Sequence, residues 1–76
     1  MPKRPRATGR ALPKSAEFLK ELWGQFGNLG LAAAAYNAGP RRIREWLDGT
    51  GYMPGETRNY VSAITGMTVD DWAAER

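Results

Sequence analysis

The run Leu29-Gly30-Leu31-Ala32-Ala33-Ala34-Ala35 limits what this chain can fold into more than any other stretch. Four consecutive alanines have high helix propensity and almost no side-chain volume. A helix built from them cannot fill a core itself, but it lets bulkier neighbours approach its backbone on every side. The expected arrangement is therefore a small all-α bundle wrapped around a central helix that begins after Asn28, a good N-cap, and stops at Gly39.

The flanking segments have the periodicity such wrapping needs. Phe18, Leu19, Leu22, Trp23 and Phe26 recur at three- and four-residue spacing, with Lys20 and Glu21 turned to water. This predicts an amphipathic helix capped by Ser15, ended by Gly27, and burying the whole apolar stripe. After Gly39, Pro40 suits a first helical turn. Ile43, Trp46 and Leu47 then form one face, Arg41, Arg42 and Arg44 the other, up to Asp48 and Gly49. Glycine, proline and threonine in GTGYMPG predict a loop. The following ETRNYVSAIT reads as a helix with Tyr60, Val61 and Ile64 inward and Gly66 at its end. Thr68 to Asp71 resembles a capping box that launches a last turn carrying Trp72. The expectation is about five short helices, with no strand signal and no repeat.

Charge is uneven along the 76 residues. The net charge is +3, yet residues 1 to 14 alone carry Lys3, Arg4, Arg6, Arg10 and Lys14 and no acid. With three prolines and a glycine in that stretch, residues 1–14 are expected to be a flexible basic tail and residues 15–76 the folded unit. Cysteine and histidine are both absent, which excludes disulfides, thiol catalysis, a Ser/His relay and a zinc site of the usual ligand types. Nothing in the sequence calls for a cofactor. No apolar run is long enough for a membrane span, and none follows the basic start as a signal peptide would require.

Two strings carry more than helix building. In Ala35-Tyr36-Asn37-Ala38-Gly39-Pro40, a polar amide sits beside an aromatic at the end of the alanine-rich helix. Asn37 can satisfy terminal carbonyls there or bond a ligand entering at the helix end. In Pro54-Gly55-Glu56-Thr57-Arg58-Asn59-Tyr60-Val61, Glu56 and Tyr60 lie one turn apart with Arg58 nearby. Glu56 suits a first helical turn electrostatically whether or not it does anything else.

Together these strings resemble the lytic transglycosylases of the soluble type, lysozyme-like enzymes that cleave peptidoglycan. That family carries an A-Y-N-A-G motif and, further on, E-T-R-x-Y-V, and both stand intact here in that order. The stretch AEFLKELWGQFGNLGLAAAAYNAGP and the closing TVDDW are also similar, so the resemblance spans about residues 15 to 76. It implies a groove for alternating N-acetylglucosamine and N-acetylmuramic acid. In that reading Tyr36 and Asn37 line the glycan site, Ala38 and Gly39 let the backbone approach the sugar, and Tyr60 lies beside the catalytic acid. Glu56 and Arg58 take supporting roles.

The family's E-S motif, which holds the catalytic glutamate, and its G-L-M-Q motif have no counterpart among these residues. Only Glu17 and Glu21 precede Tyr36. Glycosidic cleavage needs a carboxylic acid kept protonated to release the leaving oxygen, and no residue here is an obvious stand-in. The implied function is glycan-strand binding by the C-terminal half of such a domain, inactive alone, with cleavage only if another chain supplies the other half. The family acts on the periplasmic or outer face of the cell, so localisation stays open. Half a domain would also leave apolar surface exposed, an invitation to self-association or to a completing partner. The competing reading is a small basic helical module that binds nucleic acid or a protein through the tail and the three arginines. Glu45 and Asp48 dilute that face and no aromatic interleaves it, which makes nucleic acid the weaker choice.

Overall fold

A helix of small side chains can be surrounded closely, and this one is. The computed structural model describes residues 14–76 and contains α1 (Lys14–Phe26), α2 (Leu29–Ala38), α3 (Pro40–Asp48), α4 (Gly55–Thr65) and α5 (Val69–Ala74). The fold is all-α, and no strand occurs among the described residues. α2 packs against each of the other four helices. Gly30, Leu31 and Ala32 to Ala35 are all buried on it. Around them close Leu22 and Phe26 from α1, Ile43 from α3, Val61 from α4, Val69 from α5 and Met53 from the α3–α4 loop.

The helix ends follow local chemistry. Asn28 is extended and its Oδ1 accepts from the Leu31 N–H at 2.9 Å, while its Nδ2 donates to the Trp72 carbonyl at 2.9 Å. One side chain thus starts the central helix and ties α5 to it. Thr68 accepts from the Asp71 N–H at 3.1 Å, the forward half of the expected capping box. Gly39 separates α2 from α3 with φ of 105°, a conformation that side-chain-bearing residues rarely adopt.

Three expectations need correction. Ser15 does not cap α1, because the helix already includes Lys14. The α1 stripe is only partly core: Leu22 and Phe26 are buried and Leu19 is half-buried, but Phe18 and Trp23 are 39% and 47% exposed. Leu22 and Phe26, one turn apart, form the buried line of α1, and Phe18 and Trp23 lie on the surface to either side of it. Ile64 is exposed rather than inward. The buried line of α4 runs through Thr57 and Val61 to the half-buried Thr65, at four-residue steps, and Ile64 sits a quarter-turn off it. The basic tail expected at residues 1–14 falls, except for Lys14, outside the described residues.

Loop and helix cross-links complete the bundle. Arg58 joins three helices, since its Nη1 donates to Asp70 Oδ2 on α5 and its guanidinium lies 5.8 Å from the Trp46 ring centroid on α3. Both members of the ion pair are about half exposed, so solvent screens it. Arg58→Ala is expected to cost only about 0.5–1 kcal/mol in chemical denaturation, an effect that rising salt reduces.

Candidate functional site

The two motif strings are neighbours in space because α2 and α4 pack together. Four-residue spacing puts Thr57 on the same face of α4 as Val61, and that face meets α2. Thr57 is 2% exposed, and its Oγ1 donates to Asn37 Oδ1 at 2.8 Å. The first motif is therefore bonded to the second through a threonine inside E-T-R-N-Y-V. The residue-level reading passed over Thr57. Its signal was the four-residue step to Val61, which places a hydroxyl on a buried face where it must find a partner.

That bond sets Asn37 apart from the capping of α2. The end of α2 is closed by the Gly39 N–H, which bonds the Ala35 carbonyl at 2.8 Å. Asn37 takes no part in this closure. Its oxygen is occupied by Thr57, while the residue itself is exposed. With Oδ1 turned to Thr57, the NH2 group is the end of the amide left for another partner.

Tyr36 is 41% exposed and stands beside Phe18, with ring centroids 6.0 Å apart and planes tilted by 52°. Two partly exposed aromatic rings at this spacing form a small apolar wall near the C-terminal end of α2. Ala38 and Gly39 are half-buried, and a Cβ placed on Gly39 would meet nothing within 4 Å, so the space over this backbone is open. Tyr60 is half-buried with its side chain against the core. Glu56 is exposed at the start of α4. Arg58 turns to Trp46 and Asp70.

The arginine face of α3 is not a continuous patch. Arg41 Nε donates to Glu45 Oε2 at 3.3 Å, and Arg44 donates to Gln25 Oε1 at 3.2 Å. Arg42 lies over the Tyr52 ring, 5.2 Å from its centroid. In the extended stretch Tyr52–Pro54, neighbouring side chains point opposite ways. Met53 goes into the core and Tyr52 stays 68% exposed above Arg42. The sequence reading treated this stretch only as turn chemistry.

Glu17 and Glu21 are exposed on α1, and the described residues hold no buried carboxylate suited to act as an acid. None of the described helices is long and apolar enough to cross a membrane. Neither the curated proteins nor the solved structures include a match to the chain. A family model described as Transglycosylase SLT domain matches residues 10–59, a span that includes Tyr36-Asn37-Ala38-Gly39 and Glu56-Thr57-Arg58 and ends one residue before Tyr60. With about two thirds of its length matched and an all-α fold, the chain belongs to the transglycosylase SLT domain family, whose substrate is peptidoglycan.

Proposed function

We propose that the chain binds peptidoglycan glycan strands at the surface formed by Tyr36, Asn37, Ala38, Gly39 and Tyr60. Glu56 and Arg58 support that surface from α4. The observation that carries this reading is the Thr57 Oγ1 to Asn37 Oδ1 bond at 2.8 Å. It joins both motifs and leaves the Asn37 NH2 as a donor one residue along α2 from the exposed Tyr36. An aromatic ring with an adjacent amide donor suits a sugar, which offers an apolar ring face and an edge of hydroxyls and N-acetyl carbonyls.

Cleavage requires an acid from outside these residues. In this reading a partner chain, or other residues carrying the E-S and G-L-M-Q motifs, completes the catalytic groove. The exposed Trp23 and an open apolar groove of about 510 Å³ along α1, lined by Ala16, Leu19, Lys20, Trp23 and Gly24, are surface that such a complement or a second copy could cover. The nucleic-acid alternative meets on α3 an arginine face interrupted by the acids Glu45 and Asp48.

A chemical-shift titration of labelled protein with soluble, uncharged N-acetylglucosamine oligomers and with peptidoglycan fragments tests the reading. Tyr36, Asn37, Gly39 and Tyr60 are expected to shift together. Asn37→Ala should abolish these shifts while the protein stays folded. Thr57→Val keeps the shape but removes the donor that orients the amide, and should weaken binding about three- to tenfold. No shift at these residues in a demonstrably folded chain would reduce the motifs to packing.

A further inference from the structure

Beside the proposed glycan surface lies a second concavity that neither motif explains. It is an open groove of about 480 Å³ lined by Ala38, Gly39, Pro40, Arg41, Arg42 and Glu45. It shares Ala38 and Gly39 with the first motif, so a strand seated at Asn37 has this groove directly alongside. We infer that the groove takes a carboxylate carried on the side arm of a muramic acid residue, with Arg42 as its principal ligand and Arg41 as an auxiliary one. The inference rests on the glycan-binding reading and adds to it which sugar substituent is recognised, and where.

The charge arrangement supports an anion of this kind. Two guanidiniums and one carboxylate line the groove. The carboxylate, Glu45, is already engaged with Arg41 in a largely solvated pair, the Arg41 side chain being 87% exposed. Such a pair is weak and exchanges readily for a better acceptor. Arg42 has no carboxylate partner among the described residues. It lies instead over the Tyr52 ring, 5.2 Å from the centroid, a contact that uses the cation's charge and no N–H donor of a carboxylate pair. A planar guanidinium fork suits a carboxylate, which accepts two parallel N–H bonds. In peptidoglycan the carboxylates sit on the lactyl arm of muramic acid, either as the free acid or on the peptide attached to it. N-acetylglucosamine carries none.

Three tetrasaccharide probes of equal backbone length separate these sources. They are chitotetraose, the alternating glucosamine–muramic acid strand with free lactyl acids, and the same strand bearing its peptides. Wild-type protein is expected to bind one or both carboxylate-bearing probes at least about fivefold more tightly than chitotetraose, the tighter one locating the carboxylate. Arg42→Gln, at an exposed position, should erase that margin without changing chitotetraose affinity or the thermal midpoint. Raising salt to about 0.5 M should shrink it as well. Equal affinity for all three probes, or a margin untouched by Arg42→Gln, overturns the inference and leaves the glycan reading standing. Failure of all three to bind overturns the glycan reading itself, and this inference with it. Arg42-dependent binding of an oligothymidylate more tightly than any peptidoglycan probe would make the groove a phosphate site and also overturn it.

Discussion

Gly30→Ala is expected to destabilise the protein by about 2–3 kcal/mol, lowering the thermal midpoint by about 10–20 °C. The sign matters, because two effects oppose each other. Alanine is the better helix former by about 1 kcal/mol, so a Gly→Ala change inside a helix with free space should stabilise it. Here a Cβ on Gly30 would fall 1.9 Å from Cγ of Trp72. The indole cannot simply rotate aside, since its Nε1 donates to Thr65 Oγ1 at 2.9 Å and the Trp72 carbonyl accepts from Asn28. Overpacking therefore wins and α5 is pushed off α2. A double-mutant cycle isolates the cause. In a Trp72→Ala background, itself destabilised, Gly30→Ala should become neutral or stabilising by up to about 1 kcal/mol. If Gly30→Ala raises the melting temperature of the otherwise unmodified protein, the Gly30–Trp72 contact does not hold α5 in place.

The second large effect is expected at Ile43, the one fully buried side chain of α3. Ile43→Ala should cost about 2–4 kcal/mol in urea denaturation followed by circular dichroism. An unstapled core of this size supplies only about 3–5 kcal/mol in all, so the variant should be partly unfolded at room temperature. Loss of α3 also removes Arg41 and Arg42 from the groove beside Gly39. Phe18→Ala is the control. That ring is 39% exposed and packs chiefly on Tyr36, so it should cost less than about 1.5 kcal/mol. Equal costs at Ile43 and Phe18 would mean that α3 is not anchored by its buried face.

The element pattern was legible because punctuation and period are local. Asn28, Gly39, Pro40, Gly49, Gly66 and Thr68 each act through backbone chemistry within a few residues, and the helices begin or end beside them. The alanine run predicted a central helix, and α2 touches all the others. Burial was less legible. Phe18, Trp23 and Ile64 satisfy a helical period, but period says only which residues share a face, not whether a neighbour covers it. The candidate site residues stand in two strings that can be read locally, while the bond that connects the strings cannot. Thr57 and Asn37 lie 20 residues apart, and no local rule pairs them.

By itself, then, the amino-acid sequence determined the all-α class, most helix limits and the family, because each depends on residue identity or on chemistry within one or two helical turns. Only the tertiary structure decided that Thr57 bonds Asn37, that Trp72 occupies the space a side chain at Gly30 would need, and that Arg42 stands over Tyr52 at the rim of a groove. These contacts join residues 10 to 42 positions apart. They exist only once the alanines of α2 have let four helices close around one axis.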